Sequence, residues 1–281
     1  MLKSLAASLL ALATASGTGM AEGWNGSLSF GAEVERWSCD MGCATDEAGG
    51  KTKVTLLNLS LRPAGVDGLS FGIYHGREFP HGGGTHNSIS EVWANQNLTD
   101  RFWVGGVIAS ESADNRLDFG LKTGGSVDVG NAMDLHGYAF VKKRFAGDPE
   151  GMEGTYFEVE PGIGFKFGAN TGGWLNVRYQ GWNWDSGVDE REWIIKPGIW
   201  HNPGGTFDYS VWAEIGKFEK EEVRYTEEYV KLGVSANYKL TDATKLSGTM
   251  SYKWRTDTDG LAVTERERDY PLAALNYIVE F

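Results

Sequence analysis

From residue 26 to its last residue the chain repeats one pattern, in which apolar and polar side chains alternate with period two. Leu28, Phe30, Ala32 and Val34 alternate with Ser29, Gly31, Glu33 and Glu35. Leu117, Phe119 and Leu121 alternate with Arg116, Asp118, Gly120 and Lys122. "FEVEPGIGFKF" and "YVKLGVSANYKL" do the same over longer runs, and the final "LNYIVEF" ends on the pattern with Phe281. Period two is the signature of strands that show one apolar and one polar face. It predicts an all-β chain with candidate strands near 26–37, 52–62, 69–78, 88–97, 101–110, 116–122, 131–144, 155–167, 174–183, 191–201, 207–217, 224–240, 245–255 and 266–281. That makes fourteen strands; twelve is the alternative, because neither parity of 101–110 is cleanly polar.

Alternation alone suits two architectures. A soluble sandwich turns its apolar faces inward, whereas a transmembrane barrel turns them to lipid and lines a lumen with the polar ones. The connections separate the two. "RPAGVDG", "NLTD", "TGGS", "GANTGG", "NPGGT" and "TDAT" are tight turns, and longer polar loops such as "SCDMGCATDEAGGK" and "FPHGGGTHN" lie between them. Short turns on one rim and long loops on the other are the asymmetry of outer-membrane barrels. Aromatics near the strand ends (Trp24, Phe79, Phe102, Trp103, Phe145, Trp174, Trp182, Trp184, Phe207, Trp254) suit two interfacial girdles. The expected fold is a transmembrane antiparallel up-and-down β-barrel, closed by pairing the last strand with the first.

The N-terminus agrees. Lys3, an apolar run from Leu5 to Ala15 and small residues to Ala21 have the layout of a signal peptide. The run is too short to span a bilayer as a helix. Residues 1–21 are therefore read as leader and 22–281 as barrel. The formal net charge of −12 argues against nucleic acid as a partner. Cys39 and Cys43 are the two cysteines. In an exported compartment they suit a disulfide better than free thiols, and better than a metal site, for which only Asp40 and Asp46 lie near.

The polar parity carries most of the charge. Arg62, Lys122, Lys142, Arg178, Lys196, Lys231, Lys239, Lys253, Arg255, Arg266 and Arg268 share it with Glu33, Glu35, Glu91, Asp118, Asp134, Glu158, Glu160, Glu192 and Glu214. Two readings stay open: a basic stripe in the second half that favours anionic solutes, or cross-strand pairing that keeps the lumen wet. Small polar-face residues, among them Gly72, Gly120, Gly198, Gly216 and Gly233, are expected to leave space for an open pore. Polar-face aromatics, Tyr74, Trp93, Tyr138, Phe140, Trp182, Trp200, Trp212 and Tyr229, are of the kind that stack on sugar rings, although several of them also suit the girdles. His75, His81 and His86 surround the second long loop, where joint titration would move it over the mouth, against a plain solvated loop. His86-Asn87-Ser88 raises a lipid-hydrolase alternative, with a serine activated by an imidazole near the outer rim. No third polar group stands out beside it. A non-conducting structural or adhesive barrel is the other alternative.

With its leader, its strand series, "VEPGIGFKF" before a short turn and the terminal "NYIVEF", the chain resembles the small monomeric porins, including outer membrane protein G and the oligogalacturonate-specific porins. The resemblance implies passive diffusion of ions and small saccharides, some of them anionic, through a monomeric pore without a cofactor. The expected partners are membrane lipids, the assembly machinery that reads the terminal strand, and small hydrophilic solutes.

Overall fold

A computed structural model describes residues 24–41, 49–82, 84–113, 115–145, 153–220, 222–259 and 264–281. The proposed leader, Cys43 and the side chain of Cys39 lie outside the described residues, so the leader and disulfide expectations are not addressed by it. The described residues form fourteen strands: β1 (Trp24–Met41), β2 (Gly49–Pro63), β3 (Leu69–Pro80), β4 (Asn87–Thr99), β5 (Phe102–Glu111), β6 (Arg116–Asp128), β7 (Met133–Phe145), β8 (Gly154–Lys166), β9 (Thr171–Trp184), β10 (Asp189–His201), β11 (Phe207–Lys220), β12 (Tyr225–Thr241), β13 (Thr244–Asp259) and β14 (Thr264–Glu280). Each pairs antiparallel with its chain neighbours, and β14 returns to β1 to close a barrel. At the seam Gly26 N–H donates to Phe281 O at 2.7 Å and Phe281 N–H returns to Gly26 O at 3.0 Å. Closure leaves no free edge, which is what allows a sheet to stand in hydrocarbon.

The doubtful fifth strand is present. Its inward residues are apolar because two of them cover glycines: Trp103 lies over Gly124, and Val107 stands against Gly120. One turn differs from expectation. "TGGS" does not turn; β6 runs on to Asp128 and the chain reverses over Val129–Ala132, with Gly130 at φ 77°. Gly124 and Gly125 stay in the ladder because Trp103 and Phe102 pack on them, so the Gly-Gly signal marks close packing. The "NPGGT" turn is real. Gly204 and Gly205 both take positive φ, which side chains would resist.

The outer face is apolar and exposed: Leu121 is 69% accessible, Met250 64% and Val211 56%. Aromatic rings bound this belt. Trp24, Phe71, Phe102, Phe207 and Tyr209 lie toward the tight turns, while Phe145, Phe157, Tyr179, Trp193 and Trp254 lie toward the long loops. Trp193 stands eight residues from His201, the partner of Tyr209, so the belt is about 20 Å tall at the usual strand rise and tilt. Trp103, Trp174 and Trp184, expected among the girdle residues, face the lumen instead, and so does Trp182, which the polar parity also assigns there; their parity matches that of Lys122, Arg178 and Lys196. A charge placed mid-belt should destabilise the barrel. Val234→Arg is expected to cost about 2–4 kcal/mol, measured as a lower urea midpoint for refolding into lipid vesicles.

Candidate functional site

With fourteen strands at about 4.8 Å spacing and about 40° tilt, the barrel is roughly 28 Å across between backbones, leaving on the order of 15 Å inside its side chains. Glycines on the inner wall do not simply leave gaps, contrary to expectation. Most lie beneath an aromatic ring from the next strand, while Gly31, Gly105, Gly162 and Gly164 lie beneath Asn276, Asn95, Asn176 and Asp134. A Cβ on Gly198 would stand 2.1 Å from Trp174, one on Gly172 2.6 Å from Trp200, one on Gly233 2.3 Å from Trp212, and one on Gly216 2.2 Å from Tyr229. Trp93 covers Gly72 and Phe140 covers Gly120 in the same way. The missing side chain lets the ring lie flat on the wall, so bulky residues occupy little of the bore.

The charges also lie along the wall. Glu160 on β8 is the densest node: it accepts from Lys196 at 2.8 and 2.9 Å, Arg178 at 2.5 Å, Asn176 at 2.8 Å and Tyr138 at 3.2 Å. Glu158, one turn of the pleat away, accepts the hydroxyls of Tyr138 and Tyr156 and stands 3.3 Å from Arg178. The chain of contacts continues through Gln180 to Glu192, which accepts from Tyr229 at 2.8 Å. In the loop-side half, Asp118 holds Arg144 through two bonds of 2.8 and 2.9 Å and Lys142 at 2.8 Å, while the Arg144 guanidinium stacks 4.3 Å above Trp182. Arg255 meets Asp257, and Glu227 at 2.9 Å; Arg268 is 3.6 Å from Asp257, and Arg266 is that residue's cross-strand neighbour.

The sequence-predicted cations thus divide. Lys142, Arg178, Arg255 and Arg268 have carboxylate partners on neighbouring strands, Lys196 has one two strands away, and Lys231 has a looser one, Glu214 at 3.9 Å. Lys122 and Lys253 sit over rings, Trp93 at 5.5 Å and Tyr229 at 3.8 Å. Arg62 lies exposed in the last row on the turn side, opposite Asn25. Pairing therefore accounts for most of the charge that parity placed here.

Sequence parity missed several lining residues. A bulge in β2 between Thr55 and Leu57 flips the faces, so Lys51 and Lys53 point inward, Lys51 toward Glu35 and Glu78 at 3.9 and 3.6 Å. Nothing in "KTKVTLLNLSLR" marks that bulge except the adjacent leucines Leu56 and Leu57. Arg144 follows the parity of Lys142 and was readable. The network Asp134–His136–Asn176, with bonds of 2.6 and 3.0 Å, needs two strands in register and was not.

The histidines do not gather. His75 faces outward and shares a 2.9 Å bond with Ser90, His81 bonds Thr52 at 2.8 Å, and His86 packs edge-on against Phe79. His86 and Ser88 are not joined either; the Ser88 amide donates to Ser112 Oγ at 2.8 Å.

A closed, lipid-facing barrel with a polar lumen defines an outer-membrane channel protein. The OMPG-porin 1 family model matches residues 6–278, so this chain belongs to that family and is an outer-membrane porin. No curated protein matches its sequence. Solved structures with the same fold include a deltaS2 mutant of the TodX monoaromatic hydrocarbon channel (8% identity, 93% of this chain and 91% of that one, TM-score 0.59). OpdQ of Pseudomonas aeruginosa (8%, 92% and 98%, 0.52) and OccD3 (OpdP) of the same organism (10%, 94% and 93%, 0.52) are others. At such identities the likeness is one of fold.

Proposed function

We propose that this porin works as a single-chain, non-catalytic diffusion pore for ions and small hydrophilic solutes, short anionic oligosaccharides among them. One observation carries the reading. The side-chain hydrogen bonds and ion pairs of the lumen join strands that are adjacent or two apart, and none of those described bridges the bore. In keeping with this, no large side chain among the described residues is fully buried, whereas a barrel plugged by its own side chains would bury them. A wet, charged bore with flat-lying rings suits hydrated ions and the faces of sugar rings. Among the described contacts His86 packs on Phe79 and none joins it to Ser88, so this pair lends the lipid-cleaving reading no support. Assembly by the outer-membrane insertion machinery through β14, without a permanent partner chain, completes the proposal.

The purified protein in planar bilayers should give stepwise conductance that falls as polyethylene glycols small enough to enter are added. The exclusion limit should match a bore of about 15 Å or less, once loops are counted. A protein that inserts yet carries no current would overturn the diffusion reading.

A further inference from the structure

We infer that the lumen holds a binding site for a small oxyanion, a phosphate or carboxylate group, between Lys231 of β12 and Lys253 of β13. The inference rests on the diffusion reading above and names what its wall would retain. The two lysines are direct cross-strand partners, and one row toward the loops Arg255 and Arg268 are direct partners as well. Like charges placed opposite each other repel. Two such rows side by side, on strands free to take alternating signs, are a cost that an anion between them would relieve.

Three of the nearby acids, Asp257, Glu227 and Glu192, are committed elsewhere, and Glu214 is the loose cross-strand partner of Lys231. Asp257 and Glu227 hold Arg255, and Asp257 also faces Arg268 at 3.6 Å. Glu192 accepts from Tyr229 at 2.8 Å and from Gln180. Glu214 reaches Lys231 only at 3.9 Å. Lys253 has no carboxylate within salt-bridge distance among the described residues. Its ammonium rests 3.8 Å above Tyr229 and 5.7 Å from Tyr270, and Lys231 stands 5.3 Å from the Trp212 ring.

The rings are themselves fixed. Tyr229 lies on Gly216 and is held by its bond to Glu192; Trp212 lies on Gly233 and donates to Ser235 at 3.2 Å. Two ammonium groups are thus held on aromatic platforms facing the bore, with hydrogens that the π faces do not saturate. An oxyanion accepts from both at once. It meets them in a wall where water competes less than in bulk.

The test uses inorganic phosphate as probe. Added at constant ionic strength, it should lower the chloride current through the native pore, and Lys231→Gln/Lys253→Gln should need about three- to tenfold more phosphate for the same reduction. Lys239→Gln, on the exposed turn side, should behave as native. Identical phosphate dependence in native and double variant, with normal conductance, overturns the site while leaving the pore intact; a native protein without conductance overturns the diffusion reading instead. Should the double variant fail to fold, the native protein still decides. Phosphate should slow acetylation of Lys231 and Lys253 at least about threefold relative to Lys239, by mass spectrometry, and equal slowing overturns the proposal.

Discussion

Replacing Glu160 with glutamine is expected to weaken the barrel by about 2–3 kcal/mol and to turn the pore toward anions. The carboxylate, 5% accessible, accepts from Lys196, Arg178, Asn176 and Tyr138. Removing one partner of a buried pair typically costs about 3–5 kcal/mol, because the other charge is left without compensation. Lumen water solvates part of that loss here. Arg178 also retains Glu158 at 3.3 Å, which trims the cost further. Lys196 loses the one carboxylate that reaches it among the described residues and should swing toward the bore. The stability change is read as a lower urea midpoint in vesicles, and the charge change as a reversal potential shifted toward chloride across a salt gradient. The double variant Glu160→Met/Lys196→Met should lose less than the two single losses combined. An unchanged urea midpoint in Glu160→Gln would show that the network does not hold the wall together.

The second large effect concerns width. Gly198→Val should lower single-channel conductance by roughly a tenth to a third, the share of the bore that a displaced indole would fill. Trp174 lies where the new Cβ must go, at 2.1 Å, and β-sheet backbone behind Gly198 prevents the strand from yielding. The ring must therefore leave the wall. Overpacking of this kind costs about 1–3 kcal/mol in stability, so the variant should still insert. Gly233 beneath Trp212, where the three nearest atoms again belong to the ring, offers an internal check, since Gly233→Val should act likewise. Conductance equal to the native value in both variants would mean that the rings do not border the ion path.

The sequence told much about architecture and less about the lining, for a physical reason. Period-two alternation is a property of each strand by itself, so the apolar runs of β8 and β12 announced strands and outer faces without knowledge of their neighbours. Loop length announced which rim was which. Both are local. Pairing is not: Lys196 reaches over β9 to Glu160 on β8, and only the register that sets Lys196 opposite Asn176 and Asn176 opposite Gly162 makes that reach possible. A sequence shows that Lys196 and Glu160 share a face; it does not show that they meet. Glycine on a polar parity looks like empty space in the sequence because its partner ring comes from another strand, as Tyr229 does for Gly216. The β2 bulge shows the same limit in reverse. One extra residue moved Lys51 and Lys53 from the face that the downstream leucines assign to the opposite one.

The β1–β14 seam bears on how the protein comes to exist at all. Its two strands are the most distant in the chain, with Gly26 paired to Phe281, so it is the contact with the greatest loop to close and the natural last step of folding. Until then both strands present rows of unsatisfied N–H and C=O groups, and hydrocarbon offers them no water. A half-zipped sheet therefore has no resting place in the bilayer. Membrane entry and ring closure become one event, and damage at the seam registers as missing protein rather than as an altered channel.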